Sequence, residues 1–322
     1  MEQYYILLYY CYSKIDNPEE FRESHHKLCL DLDLRGRIIV AEEGLNGTVS
    51  GTKEACEKYM EAVTQDPRFA KTEFKVDVTD TPAFEKMHVR VKPEIVHSSL
   101  NQVDPNQKTG GYVEPEEFKK ILKEEDDDTI ILDVRSNYEH MIGKFKNAVT
   151  LDIDNFRDFP EKIEELRKYK DKKIVTYCTG GIKCEKASAY LLEQGFENVH
   201  QLHGGIIKYG LEEQGEDFEG KCYVFDNRIV KEVNEVNPTV ISACYVTGEP
   251  SDRMVNCANP HCNKHIPMSD KGAEIYKGCC SEACMHNPDA RPYDGTGFYQ
   301  KKMNGYNPYK GLRRKSASSS QD

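Results

Sequence analysis

The sequence predicts a multidomain chain whose start is α+β, whose middle is α/β and whose end is a cysteine-rich segment with little periodic structure. Three observations carry this expectation. Residues 4–78 run strand, helix, strand, strand, helix, strand; residues 114–218 alternate helices with short apolar strands; and seven of the twelve cysteines lie after residue 220.

Taken in order, residues 4–11 (YYILLYYC) are an apolar and aromatic run of strand length. Asn17-Pro18 opens a helix with acidic residues in its first turn and Phe21, Leu28 and Leu32 on one side. Strands are expected over 36–41 and 48–50, with the intervening Glu42-Glu43-Gly44-Leu45-Asn46-Gly47 as a turn, followed by a helix over 53–63 and a strand over 74–78. That order is the one of a ferredoxin-like, or acylphosphatase-like, domain, here given the bounds 1–97. Within it Met87-His88-Val89-Arg90-Val91 alternates as a strand does, which puts His88 and Arg90 on one face. Residues 98–113, with Pro105 and Gly110-Gly111, read as a linker.

The second unit, 114–218, starts with a Glu-rich helix over 115–122 and a strand over 129–132 that ends at Asp133-Val134-Arg135. A short strand over 148–153, a helix over 160–168, a strand over 173–177, a helix over 185–192 and a strand over 199–202 complete it. Strands alternating with helices imply a mainly parallel sheet, whose ligands sit at strand carboxyl ends. Residues 219–300 form the cysteine-rich segment and 301–322 a basic, low-complexity tail expected to be partly disordered.

With 38% hydrophobic residues, a mean hydropathy of −0.72 and no apolar run approaching the ~18 residues of a span, no membrane segment is expected. The amino terminus lacks the charged-then-apolar pattern of a secretory signal, so the expectation is a cytoplasmic protein whose cysteines are thiols for catalysis, metal or packing. A net charge of −11 argues against a protein that coats nucleic acid, although Lys86, His88, Arg90 and Lys92 cluster around one short apolar run.

The chemistry is expected at Tyr177-Cys178-Thr179-Gly180-Gly181-Ile182-Lys183-Cys184, where a strand turns into a helix through a cysteine. Unpaired backbone N–H groups and the helix dipole favour an anion there, and Gly180 and Gly181 let the backbone wrap it, so Cys178 is the candidate thiolate or persulfide. Phosphatase loops need Cys-x5-Arg; the arginine's place is held by Cys184. Cys184 is a candidate resolving thiol or a structural residue. Lys183 offers a cation to the loop or to a substrate phosphate, or is simply solvated. Asp133 and Arg135 end the neighbouring strand and either support the loop or form a fold-stabilising pair. Cys244, Cys257, Cys262, Cys279, Cys280 and Cys284 are candidate ligands of a structural zinc, with free thiols or an oxidised pair as alternatives.

Asp133-Val134-Arg135, Tyr138-Glu139-His140, Gly143 and the Cys178 loop closely resemble a rhodanese domain. Together with Glu43-Gly44-Leu45-Asn46-Gly47-Thr48 and Val255-Asn256-Cys257-Ala258-Asn259-Pro260-His261-Cys262, they make residues 2–310 resemble the rhodanese-containing tRNA uridine 34 hydroxylase family. The resemblance implies hydroxylation of carbon 5 of the wobble uridine in the tRNA anticodon loop, with molecular oxygen as co-substrate. It also implies that Cys178 is the active-site cysteine. Arg90, Lys92 and Lys183 are then candidates for tRNA phosphates, and Tyr177, Phe84, Tyr209 and Tyr293 for stacking on a base. Lys183 stands where the family often has arginine, and Cys244-Tyr245-Val246-Thr247 lacks the second cysteine of a Cys-x-x-Cys found in some relatives. A sulfurtransferase carrying sulfane sulfur on Cys178 and a non-enzymatic persulfide-binding module are the other readings open at this point.

Overall fold

The run from Tyr4 to Tyr12 is β-branched and aromatic enough to make one long strand, β1, and its alternation gives it two buried faces with different partners. Leu7 and Tyr9 point into the core of the first domain, whereas Leu8, on the other face, packs against the core of the second. The computed structural model describes residues 3–124, 126–293 and 295; the basic tail expected over 301–322 lies outside these. The chain divides after Thr239 into two compact units.

In the first unit, α1 (Pro18–Asp31) starts at Asn17, whose side chain accepts from the Glu20 N–H, with proline in the first turn. The strands β2 (Arg35–Ala41) and β3 (Gly44–Gly51), helix α2 (Lys53–Gln65) and strand β4 (Lys75–Thr79) follow. The order β4-β1-β3-β2, antiparallel throughout, is the ferredoxin-like arrangement expected from the sequence, and β5 (Met87–Val91) extends it, parallel to β2. His88 and Arg90 are both exposed on β5, as its alternation requires.

The stretch Gly44-Leu45-Asn46-Gly47, expected as turn, is instead the first half of the central strand β3; only Glu42 and Glu43 make the turn. The glycines are there for close approach. A Cβ on Gly44 (φ +145°) would lie 2.0 Å from the Cys11 carbonyl oxygen, and one on Gly47 2.4 Å from the Tyr9 hydroxyl. Asn46 Nδ2 donates to the Ile95 carbonyl at 2.9 Å and Glu43 accepts from the Ile95 N–H at 2.8 Å. The segment leaving the first domain is thereby fixed to this hairpin.

The middle of the chain builds a five-stranded parallel sheet in the order β6-β11-β10-β7-β9. Its elements are β6 (Gly111–Val113), α3 (Pro115–Glu124), β7 (Thr129–Asp133), α4 (Asn137–His140), β8 (Gly143–Phe145), β9 (Val149–Thr150), α5 (Ile163–Leu166), β10 (Lys173–Tyr177), α6 (Ile182–Glu193), β11 (Val199–Leu202) and α7 (Gly205–Glu213). Strand β6 lies inside the stretch read as linker. The helix expected over 160–168 is broken: Phe156–Lys162 is a 3-10 turn around Pro160, which has no N–H to continue an α-helical ladder, and only α5 is α-helical. Strand β12 (Phe218–Gly220) pairs with β8, and β13 (Cys222–Tyr223) with β14 (Val230–Lys231).

The second unit holds a short hairpin, β15 (Met254–Asn256) with β16 (His265–Pro267), and two short helices, α8 (Asp270–Ile275) and α9 (Glu282–Met285). Its apolar core is small, centred on Cys244, Val255, Ile266, Met268 and Ala273. Among the described residues no helix is long and apolar enough to cross a membrane.

A side chain at position 44 would have to displace backbone. Gly44→Ala should therefore lower the stability of the first unit by about 2 kcal/mol or more, whereas Glu42→Ala should stay within about 0.5 kcal/mol, as urea unfolding followed by circular dichroism would measure.

Candidate active site and metal centre

Strand β10 is buried along Ile174-Val175-Thr176-Tyr177 and delivers Cys178 to a four-residue turn before α6. Gly181, at φ +101°, aims its N–H at the Cys178 sulfur, 3.2 Å away. The backbone N–H groups of Lys183 and Cys184 and the Cys184 thiol converge on the same atom. Burial opposes ionisation, but the Cys184 hydrogen bond, the Lys183 charge and these N–H groups outweigh it and hold the Cys178 thiol down at about 6. Cys184, donating to that sulfur and buried with it, is pushed well above the ordinary thiol range. The loop carbonyls are fixed from the other side by α7, where the Ile206 and Ile207 N–H groups donate to Cys178 O and Thr179 O at 3.0 and 3.1 Å.

The first domain lies directly over this loop. A Cβ on Gly180 would meet Leu8 at 2.9 Å and one on Gly181 the Tyr10 hydroxyl at 2.9 Å, so both glycines are needed for the contact as well as for the turn. Tyr12 donates to the Ile182 carbonyl at 3.5 Å and Tyr10 to Glu185 at 2.9 Å. Lys75, buried on β4, donates to the Gly180 carbonyl at 3.2 Å. Its own burial pulls it down to about 8, with the Glu73 and Cys178 charges opposing. Cys178 itself is 1% exposed. Sequence reasoning missed Lys75 because a single lysine in an alternating strand carries no signal of what lies above it.

Asp133 and Arg135 pair with each other. Both are fully buried, 2.6 Å apart, and Arg135 also donates to the Gly143 carbonyl at 2.7 Å. Tyr177 donates to Asp133 at 2.7 Å, so the pair anchors the end of β10 one residue before Cys178. Lys183 is not solvated; it is ion-paired to the buried carboxylate of Glu139, beside the rings of Phe156 and Phe225. Glu139 was visible in Tyr138-Glu139-His140 but had no role assigned. Arg90 and Lys92 stand exposed on and just beyond β5. Three of the four expected stacking residues, Tyr177, Tyr209 and Phe84, are instead buried in hydrophobic clusters and cannot receive a base. The remaining one, Tyr293, is partly buried, with the Lys277 ammonium 5.5 Å from its ring.

In the second unit, Cys257, Cys262, Cys280 and Cys284 bring their sulfurs within 4.8 Å of one another. The Cys262–Cys280 and Cys280–Cys284 separations are both 3.7 Å. Four sulfurs about 2.3 Å from a central ion would be about 3.8 Å apart, so the set fits a tetrahedral metal. The Cys280 N–H donates to the Cys257 sulfur at 3.4 Å, as a backbone group does to a ligating thiolate. Of the six candidate cysteines, Cys244 and Cys279 fall outside this set. Cys244 packs under Gly272 in the small core, where hydrogen bonds from Ser269 and Thr247 outweigh its burial and lower its thiol to about 7. Cys279 is buried within the cluster around Cys257. His261 and His265 also stay outside, on Asp289 and Asn256 respectively.

Family models match three stretches: a UPF0176 acylphosphatase like domain over 4–95, a rhodanese-like domain over 114–212 and a rhodanase C-terminal domain over 219–285. A protein from Cytophaga hutchinsonii named tRNA uridine(34) hydroxylase is 63% identical over 314 residues, 98% of this chain and all of its own. The chain belongs to the tRNA uridine(34) hydroxylase family. Family members of that name from Listeria welshimeri and Bacillus cereus are 52% and 50% identical, each over 89% of this chain and 91% of their own. The likeness to the family thus runs through both units, and it takes in the loop, the β2–β3 hairpin and the four-cysteine cluster.

With its pKa held at about 6, Cys178 should be a thiol below that pH and a thiolate above it. The ultraviolet thiolate absorbance of the wild type minus that of Cys178→Ser, titrated from pH 4 to 10, should therefore rise with a midpoint near 6. A midpoint near the ~8.5 of a free thiol would show that the loop does not stabilise the anion.

Proposed function

We propose that this chain hydroxylates carbon 5 of uridine 34 in tRNA, with molecular oxygen as co-substrate and Cys178 as the reacting group. The observation that carries this reading is the end-to-end likeness to a relative of that name; the ionised sulfur at the head of α6 agrees with it. A wobble uridine is unpaired in the anticodon loop and can be splayed out to meet a buried reactive group. The reaction belongs in the cytoplasm, among reduced thiols and tRNA.

The redox balance gives Cys184 a place. Replacing C5–H by C5–OH with one atom of dioxygen, the other leaving as water, consumes two electrons and two protons. The Cys178 thiolate and the Cys184 thiol, passing to one disulfide, release two electrons and one proton; solvent supplies the second proton, and an external thiol resets the pair. Lys183, paired with Glu139, acts electrostatically on the Cys178 sulfur.

A second reading is favoured by the cradle itself, since N–H groups that stabilise a thiolate also stabilise a persulfide. On this reading the chain moves sulfane sulfur from a donor such as thiosulfate to an acceptor. Nucleoside mass spectrometry of tRNA from a deletion strain separates the two. Loss of 5-hydroxyuridine and its derivatives, restored by the wild type and not by Cys178→Ser, is the expected result; loss of a thiolated nucleoside instead would favour sulfur transfer. Cys178→Ser that still formed 5-hydroxyuridine at normal yield would remove Cys178 from the reaction.

For the second unit we propose a structural zinc on Cys257, Cys262, Cys280 and Cys284, which would give a small, loop-rich core the stability it otherwise lacks. Purified protein should carry about one zinc per chain. Cys257→Ser or Cys284→Ser should lose most of it, and Cys244→Ser should keep it, as elemental analysis would measure.

A further inference from the structure

The sheet of the first domain does more than cover the loop. Cross-strand neighbours share a face, so the row Leu8, Thr48, Arg37, His88 runs from β1 across β3 and β2 to β5 on one side of the sheet. Leu8 touches Gly180, and His88 lies three strand spacings away, about 14 Å. The adjacent rows add Arg35 and Arg90 to the same face. Arg35, Arg37, His88 and Arg90 are all exposed, and among the described residues no carboxylate forms an ion pair with any of them. In a chain of net charge −11, an unneutralised basic strip leading to the reactive loop is not a generic solvated face. His88 is pulled below its usual range, by burial first and then by the Arg90, Arg37 and Lys86 charges.

Aromatic rings stand where the strip meets the loop. The Tyr223 carbonyl accepts from Thr179 of the loop at 3.5 Å, and Arg37 acts electrostatically on the Tyr223 hydroxyl. Phe225 packs edge-on against Tyr223, 5.2 Å between ring centres, and lies 5.7 Å from the Lys183 ammonium. Unlike the buried rings of this domain, Phe225 keeps 45% of its surface exposed. Cations that follow a phosphate backbone, ending at an exposed ring, are what an unpaired RNA loop requires.

We propose that this face receives the anticodon stem-loop, with Arg35, Arg37, His88 and Arg90 on its backbone phosphates and Phe225 stacked on an unpaired base beside the Cys178 loop. The proposal rests on tRNA being the substrate. It keeps Arg90 as a phosphate contact, adds Arg35, Arg37 and His88, releases Lys183, which Glu139 already holds, and moves base stacking from the buried rings to Phe225.

The test uses the full chain and a synthetic anticodon stem-loop hairpin carrying uridine 34, with binding followed by fluorescence anisotropy from 50 to 300 mM salt. Removing two phosphate contacts in Arg37→Ala/Arg90→Ala should weaken binding at least tenfold and flatten the slope of log Kd against log salt by about 1.4 to 1.8. Arg37→Lys/Arg90→Lys should restore most of it, which excludes misfolding as the cause. Phe225→Ala should weaken binding about tenfold with the salt slope unchanged. Lys27→Ala/Lys58→Ala, an equal charge change on the helical face, should do neither. In turnover, the arginine pair should raise KM for tRNA and leave kcat within twofold. An unchanged slope in the arginine variant, an equal loss in the lysine control, or no hairpin binding by the wild type would overturn the proposal. Should the wild type bind the hairpin but form no 5-hydroxyuridine, the reaction assigned above falls while the binding surface stands.

Discussion

Burial strips an anion of its hydration, and the Cys178 sulfur replaces that hydration with the N–H groups of Gly181, Lys183 and Cys184, the Cys184 thiol and the Lys183 charge. Each donor depends on the path of the backbone between β10 and α6, and that path depends on glycines with nothing at Cβ. Leu8 and Tyr10 of the first domain then close over the same glycines. One pair of residues thus serves two fits at once: the turn that makes the anion and the surface that keeps water from it. Tyr177, tied to the buried Asp133–Arg135 pair, holds the strand end that presents the sulfur.

Two charges buried near the loop, Glu185 and Lys186, are given several partners, which is the condition under which burying them is tolerable. Glu185 accepts from Tyr10 and Tyr112, each at 2.9 Å, and from Thr109 at 3.1 Å. Lys186 donates to the Val103 carbonyl at 2.7 Å and pairs with Glu43 at 2.6 Å. These groups come from the β2–β3 hairpin, the 98–113 stretch and α6, so the polar network joins segments far apart in sequence where apolar packing alone would leave them free to slide.

Local signals read well from the sequence because they are local. The apolar run of β1, the alternation of β5, the strand–turn–helix at Cys178 and the parallel character of the middle sheet all follow from local periodicity and from turn residues. What failed were features set by a distant neighbour. Gly44 and Gly47 read as turn residues, since nothing near them in sequence says that Cys11 and Tyr9 press against them. Whether Lys183 serves the loop or stands in solvent is not legible along the chain, because Glu139, forty-four residues away, is invisible to helical spacing. Tyr177 and Tyr209 looked like stacking platforms because an aromatic residue reads alike whether its ring meets a base or a core. The cysteine spacings gave the neighbourhood but not which four sulfurs converge, because spacing reports only proximity along the chain.

Lys186 gives the middle domain a dependence that its fold class hides. Its ammonium is buried in α6, yet its carboxylate partner, Glu43, belongs to the first domain, and two of its carbonyl partners belong to the connecting stretch. A rhodanese fold is usually thought of as a module that can be excised or exchanged. Cut out here, it would carry an orphaned buried cation and two bare glycines beside the Cys178 sulfur. The two domains are therefore one inheritable unit, and a functional chimera would have to exchange Glu43, Leu8 and Tyr10 together with the loop they serve.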